Sequence, residues 1–79
     1  MWEDGEIEVN GKTYVYNAKV YDLPSHFGIN GGRVSKLYVY RKETCVIEYD
    51  RGWGPAQYKP KKGSNEETVV QKILEKYDG

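Results

Sequence analysis

Cysteine is almost absent from this sequence: Cys45 is the single one, so the chain cannot form an internal disulfide. Histidine is equally scarce, and His26 lies in no run of spaced Cys, Asp or Glu residues that would hold a metal ion. No apolar run approaches the roughly 18 residues of a membrane-spanning helix, and the first residues lack the basic and apolar segments of a signal peptide. These absences predict a cytoplasmic protein with no cofactor, no metal and no membrane partner.

Neither sign of charge is in excess. Twelve Lys and Arg residues balance twelve Asp and Glu residues, so the formal net charge is zero. A general nucleic-acid-binding protein carries a basic excess, and the balance therefore argues against nucleic acid as the partner. Catalysis has equally little support, because His26 would have to work with Ser25, Ser35 or Cys45 and the sequence gives no geometry that joins them. We expect a protein that is not an enzyme.

Phenylalanine and methionine are also rare, with one of each, whereas there are eight tyrosines and two tryptophans. A chain of 79 residues makes one small domain, and a domain of this size buries only about 60–65% of its unfolded surface. Tyrosine has an apolar body and a polar tip, which suits half-exposed sheet faces and binding surfaces. The composition therefore indicates a single domain, residues 1–79, that builds a hydrated surface in preference to a large dry core.

Four segments have the character of β-strands. Residues 6–21 predict a hairpin around Asn10-Gly11, because a type I′ turn needs positive φ at both central residues. Residues 34–41 predict a third strand, and residues 44–49 a fourth that is apolar on both faces and is therefore placed at the centre of the sheet. The alternation predicts that Tyr14, Tyr16, Ala18 and Val20 face the core. In the third strand it predicts that Leu37 and Val39 share one face, and that Lys36, Tyr38 and Tyr40 share the other.

One helix is predicted, at the C-terminal end. Ser64 and Glu67 form a capping box, and the apolar residues that follow at helical spacing are Val69, Val70, Ile73, Leu74 and Tyr77. The element order predicts an α+β fold, ββββα, with a four-stranded, mainly antiparallel sheet and the helix packed on one face. The other face is then solvated, paired with a second copy or used for binding, and we expect a homodimer or a higher homo-oligomer.

A glycine-rich loop, SHFGINGG, leads directly into the third strand. Successive glycines can turn their N–H groups inward to form a nest that accepts an anion, and Arg33 and Lys36 follow at once with Ser35 between them. The alternative is a β-turn at Asn30-Gly31 that only starts the strand. The loop matches no P-loop or dinucleotide fingerprint and precedes a strand, not a helix, so both interpretations stay open.

A second candidate segment is EYDRGWG, residues 48–54. Arg51 and Trp53 could together hold a base or ribose and its phosphate. In the alternative interpretation, Trp53 packs under the loop as part of the core, and Asp50 pairs with Arg51 on the surface. The lysines of YKPKKG, residues 58–63, form a local basic patch that either steers an anionic partner or is simply solvated.

These segments converge if the third and fourth strands form a hairpin. The short RKET connection would bring the start of the third strand beside the end of the fourth. The glycine N–H groups and the cations would then bind phosphates, while Trp53 with Tyr38 or Tyr40 would stack a base. The predicted ligand-binding residues are Gly31, Gly32, Arg33, Ser35, Lys36, Tyr38, Asp50, Arg51 and Trp53.

Three motifs carry a similarity that runs over nearly the whole chain: SxFGIxGGRVSKL at residues 25–37, YDRGW at residues 49–53 and ILEKY at residues 73–77. With these motifs the chain resembles a small uncharacterised domain family of Firmicutes and their phages. The family carries no activity that can be transferred to these residues. What the resemblance implies is a setting, that of a phage or mobile-element protein that acts by binding.

The function expected from the residues and the resemblance together is non-enzymatic binding. The leading hypothesis is a phage-associated protein that sequesters a small anionic nucleotide-type ligand, such as a defence signal. The second is an inhibitor that binds a host defence nuclease or effector through a Tyr-rich sheet face, since tyrosine and arginine dominate interface hot spots. The third is a structural accessory domain without a ligand.

Overall fold

The computed structural model describes residues 1–79. Its elements in chain order are β1 (Trp2–Val9), β2 (Lys12–Val20), a 3-10 turn (Ile29–Gly31), β3 (Val34–Arg41), β4 (Thr44–Asp50), a second 3-10 turn (Ala56–Tyr58) and α1 (Asn65–Asp78). The four strands form one antiparallel sheet in the order β1-β2-β3-β4. The predicted ββββα architecture is confirmed.

Both tight hairpins use left-handed turn residues. Asn10 and Gly11 have φ values of 52° and 75°, as the Asn-Gly signal predicts for the first hairpin. Lys42 and Glu43 have φ values of 50° and 67° between β3 and β4, although neither is a glycine or an asparagine. The first strand begins at Trp2 rather than at residue 6, because Met1 and Val20 exchange two backbone hydrogen bonds, of 2.8 and 3.0 Å, that extend the ladder to the chain start.

The core lies between one face of the sheet and α1. The alternation predicted for β2 and β3 is confirmed. Tyr14, Tyr16, Ala18 and Val20 are buried as predicted, and Leu37 and Val39 share the face that is buried. The helix contributes Val69, Val70 and Ile73. Two tyrosines of β2, Tyr14 and Tyr16, are therefore part of the core. The Tyr16 hydroxyl is hydrogen-bonded to the hydroxyl of Tyr77 in α1 at 2.9 Å.

The capping box at the start of α1 is formed as predicted. Ser64 Oγ accepts from the Glu67 N–H at 3.2 Å, and Glu67 Oε1 accepts from the Gly63 N–H at 3.0 Å. At 14 residues, α1 is not long and apolar enough to cross a membrane.

The prediction that β4 is a central strand is wrong, because β4 forms one edge of the sheet. A bulge explains its apolar appearance: Ile47 pairs with Val39 and Cys45 with Tyr40, so Val46 is an extra residue that packs against the core. The edge itself is covered by the segment that follows β4. The Gly54 N–H donates to the Glu48 carbonyl at 3.3 Å there, and the second 3-10 turn packs alongside.

Candidate functional site

The sheet face opposite α1 is uncovered, and we call it the open face. Strand register arranges its side chains in cross-strand rows. One row contains Trp2, Lys19, Lys36 and Asp50; the next contains Asp4, Asn17, Tyr38 and Glu48; a third contains Glu6, Val15, Tyr40 and Cys45. Acidic residues occupy the outer strands, while lysine and tyrosine occupy the centre.

Two lysines stand side by side in the first row. Lys19 and Lys36 are direct cross-strand partners, and side chains in such a pair start about 5 Å apart. Lys36 Nζ lies 3.6 Å from Asp50 Oδ1, and Arg51 Nε lies 3.4 Å from the same oxygen, whereas Lys19 has no carboxylate partner. Lys36 and Arg51 thus share the Asp50 carboxylate, and the charge of Lys19 is not paired with a carboxylate. We call the group formed by Lys19, Lys36, Arg51 and Tyr21 the basic corner.

The Tyr21 phenol reports the electrostatics of the basic corner. Lys19 Nζ lies 5.4 Å from the Tyr21 ring centroid. The pKa of Tyr21 is lowered, chiefly by its interaction with the neighbouring Lys19 ammonium, with a smaller contribution from the charge of Lys36. An environment that favours a phenolate also favours another anion placed there.

Ser35 supplies a hydroxyl without a bonding partner. It is the extra residue of a bulge between β2 and β3, where Lys19 pairs with Lys36 and Val20 with Val34. Ser35 is only 2% exposed, and its Oγ has no hydrogen-bond partner. Buried hydroxyls are normally satisfied by a partner, so Ser35 is an exception next to Lys36 of the basic corner.

An aromatic pair lies beside the lysines. The Trp2 and Tyr38 rings reach over β2 and stack with centroids 6.4 Å apart and an interplanar angle of 23°. Trp2 is 50% exposed. Burial, followed by the charges of Asp50 and Glu48, raises the pKa of Tyr38, so this phenol remains neutral at ordinary pH. The pair offers an apolar platform next to the basic corner.

The structure brings together four of the residues predicted to converge. Lys36 pairs with Asp50 in the β3–β4 ladder, and the Arg51 N–H donates to the Ser35 carbonyl at 2.9 Å. Arg51 has a positive φ of 57°, which turns the chain away from β4 at this point. Tyr38 lies one row further along the same face.

Gly31 and Gly32 are predicted to form an anion nest, but their N–H groups are used within the loop. The Gly31 N–H donates to the Gly28 carbonyl at 2.9 Å, and the Gly32 N–H donates to the Ile29 carbonyl at 3.0 Å. Asn30 and Gly31 have φ values of 55° and 71°, so the segment has the geometry of a tight turn. Neither N–H is available to a phosphate in this conformation.

Arg33 is likewise occupied, by the ends of two other elements. Its Nη1 donates to the Tyr77 carbonyl at 2.7 Å, its Nε donates to the Tyr21 carbonyl at 2.8 Å, and its backbone N–H donates to Asp78 Oδ1 at 2.8 Å. Arg33 therefore fastens the C-terminal end of α1 to the end of β2.

Trp53 lies on the other side of the sheet from Tyr38. Its ring meets Tyr49 edge-on at 4.8 Å, and Tyr49 is buried on the helix-facing side. The predicted stacking of Trp53 with Tyr38 or Tyr40 is not formed, because strand alternation places Tyr49 and Tyr38 on opposite faces. Trp53 instead packs against the core.

Three residues of the site are not among those predicted from the sequence: Trp2, Lys19 and Tyr21. The alternation that buries Tyr14 and Tyr16 also places Lys19 and Tyr21 on the opposite face. The Asn10-Gly11 turn fixes the register that sets Trp2 across from Lys19. A signal was therefore present in the register of the first hairpin.

Comparison with known proteins identifies the family. Residues 1–78 match the family model of a domain of unknown function, DUF7678, and the chain belongs to this family. This confirms membership of a small uncharacterised domain family. No curated protein and no solved structure significantly matches the chain. The described residues also contain no group of three or more His, Cys, Asp or Glu side chains that could hold a metal ion.

Proposed function

We propose that this member of the family is a non-catalytic binding protein that holds a small anionic, nucleotide-type ligand at the basic corner of its open face. The observation that carries the proposal is the direct pairing of Lys19 with Lys36 on an uncovered sheet face, beside the stacked Trp2 and Tyr38 rings.

The basic corner suits a phosphate or carboxylate group. Two ammonium groups on paired strands can share one anion. Arg51 can join them, because its side chain is 64% exposed and its 3.4 Å contact with Asp50 is a surface ion pair, worth only about 0–1 kcal/mol. The hydroxyl of Tyr21, a side chain that is 45% exposed, adds a hydrogen-bond donor at the same place.

The aromatic pair suits a flat base or a similar ring. Base–aromatic stacking contributes about 1–3 kcal/mol per base, and Trp2 and Tyr38 lie in the row of the lysines and the row next to it. Phosphate and base would thus bind to one continuous surface. In this proposal Lys36, Tyr38 and Arg51 keep the ligand-binding role predicted for them.

The remaining predicted residues would act indirectly. Gly31 and Gly32 shape the turn before β3, and Arg33 fixes that turn to the helix end. Ser35 is buried, Asp50 positions Lys36 and Arg51, and Trp53 packs against the core. Sequestration is the proposed purpose of binding, since the open face supplies ligand-holding groups without a nucleophile–base pair. The setting of a phage protein that removes a host defence signal is a further part of the proposal, and it rests on the family resemblance.

The proposal is tested by thermal-shift and NMR titration with inorganic phosphate, a mononucleotide, ADP-ribose and a cyclic dinucleotide. The wild type is compared with Lys19→Gln, Lys36→Gln and the control Lys72→Gln, which changes an exposed helix lysine. Ligand at 100 times its Kd stabilises the fold by about 2.7 kcal/mol. We expect one nucleotide-type ligand to stabilise the wild type by this amount. Lys19→Gln and Lys36→Gln should lose the stabilisation, and Lys72→Gln should keep it. The proposal would be contradicted if no ligand of the panel stabilises the wild type, or if Lys72→Gln loses the stabilisation as fully as the two corner variants.

A second candidate is a protein-binding inhibitor, and one observation favours it. Two large apolar side chains at the end of the sheet that holds the basic corner are strongly exposed, Met1 at 80% and Leu23 at 76%. Trp2 and Tyr21, which belong to the residue types enriched in interface hot spots, are also exposed there. A host protein captured by the wild type but not by Leu23→Ser, with no response to any ligand of the panel, would favour this candidate.

A further inference from the structure

The outer edge of β1 is a full row of unpaired backbone groups. β1 pairs only with β2. Met1 exchanges hydrogen bonds with Val20, and the β1–β2 register runs without a bulge to the hairpin turn. In an antiparallel ladder the bonded residues alternate. The residues whose N–H and C=O groups point away from β2 are therefore Trp2, Asp4, Glu6 and Glu8.

The side chains of the same four residues lie on the open face and are exposed. Three of them are carboxylates, spaced at every second residue, and β1 contains no Lys or Arg. A strand added to this edge would place every second side chain beside Asp4, Glu6 and Glu8. The side chain next to Trp2 would meet an aromatic ring.

We propose that the β1 edge binds an extended segment of a partner protein in which basic side chains alternate with apolar or polar ones. The segment would add a fifth strand to the sheet. Its backbone would pair with the outward groups of β1, and its lysines or arginines would pair with the three carboxylates. Strand addition gains affinity from main-chain hydrogen bonds and specificity from alternate side chains.

Charge complementarity selects this occupant over a second copy of the chain. Two β1 edges paired with each other would bring Asp4, Glu6 and Glu8 against the same acidic set, and like charges directly opposite one another destabilise a strand pair. Charged edge strands also protect a protein from self-association. The same three carboxylates that repel a second β1 strand attract a basic one.

The other edge of the sheet does not offer such a place. Trp53 forms a bridge with Tyr49, and the Gly54 N–H donates to the outward carbonyl of Glu48. The chain itself therefore covers part of β4, whereas no other backbone segment pairs with the outward N–H and C=O groups of β1. The binding edge is also distinct from the basic corner, which lies on the central strands and carries the opposite charge.

The test uses a blocked, fluorescent seven-residue peptide with lysine at positions two, four and six and valine or threonine between them. Fluorescence anisotropy measures its Kd, and NMR follows the amides of Asp4, Glu6 and Glu8. We expect saturable binding, with shifts concentrated at these amides. Methylation of the peptide nitrogens on one edge should weaken binding at least about tenfold, which corresponds to 1.4 kcal/mol, because it removes ladder donors and keeps every charge.

Matched variants separate edge pairing from general attraction. Glu6→Lys with Glu8→Lys should abolish binding of the lysine peptide and create binding of its glutamate counterpart, while the control Glu75→Lys, which alters an exposed helix residue, should behave like wild type. Lys19→Gln should also bind the lysine peptide normally, so failure of the nucleotide proposal would not affect this test.

Three results would overturn the proposal. The first is that the lysine peptide fails to bind at all, which would leave the carboxylates with only a protective role against aggregation. The second is that N-methylation leaves binding unchanged, which would reduce the interaction to charge attraction. The third is that sedimentation shows a dimer that the peptide competes with, which would mean that a second copy takes the edge.

Discussion

The guanidinium of Arg33 donates to the carbonyl oxygen of Tyr77 at 2.7 Å, across 44 positions of sequence. The same side chain donates to the Tyr21 carbonyl at 2.8 Å. One residue at the start of β3 therefore joins the last turn of α1 to the end of β2. Carbonyl groups in the last turn of a helix have no partner within the helix, so Arg33 satisfies one of them and holds the helix end against the sheet.

Arg33→Ala should consequently destabilise the fold. Two hydrogen bonds from a charged donor are lost, and we expect the free energy of unfolding to fall by about 2 kcal/mol. For a domain of this size the midpoint of thermal unfolding should drop by about 8–16 °C. Arg33→Lys should recover only part of the loss, because one ammonium group cannot reproduce the planar fork.

The control for Arg33 is Arg51→Ala. The Arg51 side chain is 64% exposed, so its removal should change stability by no more than about 0.5 kcal/mol. Thermal unfolding followed by circular dichroism compares the midpoints of Arg33→Ala, Arg33→Lys and Arg51→Ala. Equal melting temperatures for Arg33→Ala and Arg51→Ala would show that Arg33 does not anchor the helix.

The two tryptophans should separate stability from binding. Trp53 packs edge-on against buried Tyr49, so Trp53→Ala should cost about 2–3 kcal/mol of unfolding free energy. Trp2 is half-exposed on the open face, so Trp2→Ala should cost less than about 1 kcal/mol and should weaken a bound nucleotide-type ligand. Urea unfolding and ligand titration of both variants test this division. If Trp53→Ala weakens ligand binding and Trp2→Ala does not, the ligand binds at Trp53 and not at the Trp2–Tyr38 pair.

Local signals predicted most of the fold, because they depend on neighbours in sequence. The Asn10-Gly11 turn, the alternation of β2 and the Ser64–Glu67 box each act within a few residues. The edge position of β4 was missed because the covering contact of Gly54 with Glu48 is made by a loop that has no periodic pattern.

The candidate site was harder to predict than the fold. Glycines followed by an arginine look the same whether they cradle a phosphate or, as Arg33 does, hold a helix end. Only the position of Tyr77 distinguishes the two arrangements, and that position is set by tertiary packing. Lys36 and Asp50 were placed together correctly, because a tight hairpin fixes their register. Placing Lys19 beside Lys36 requires the register of a second strand pair, β2 with β3, which no tight turn fixes.

Alkaline pH should destabilise the protein through Tyr77. Burial, followed by the hydrogen bond with Tyr16, raises the pKa of Tyr77 well above the usual value of 10.0. The native state then keeps this proton at pH values where the unfolded chain has lost it, so stability falls as pH rises above about 10. Burial also raises the pKa of Tyr49 in the same direction.

Thermal melts between pH 8 and pH 11 measure this dependence. Stability should be nearly level up to about pH 10 and should decline beyond it. Tyr77→Phe keeps the ring, removes the titrating hydroxyl and should flatten the decline, although it lowers stability at pH 8 by about 1 kcal/mol because the Tyr16 hydroxyl loses its 2.9 Å partner. A decline of the same steepness in Tyr77→Phe would assign the alkaline effect to other groups.

The β3–β4 turn offers the opposite kind of change, a stabilising one. Lys42 and Glu43 have φ values of 50° and 67°, a conformation that costs L-residues roughly 1–2 kcal/mol each. Asn and Gly accept it most readily, so Lys42→Asn with Glu43→Gly should raise the free energy of unfolding by about 1 kcal/mol after the greater chain entropy of glycine is included.

That gain should raise the unfolding midpoint by about 4–8 °C. The matched control makes the reverse change at the first hairpin, where Asn10→Lys with Gly11→Glu places side chains that disfavour the turn at φ values of 52° and 75°. It should lower the midpoint by at least a similar amount, because the two turns have the same left-handed geometry and Asn10→Lys also removes the 2.7 Å hydrogen bond that Asn10 Nδ2 donates to Asn65 Oδ1. If the Asn-Gly variant of the β3–β4 turn melts no higher than wild type while the control is destabilised, the two turns differ, and Lys42 and Glu43 must gain from contacts that offset their strain.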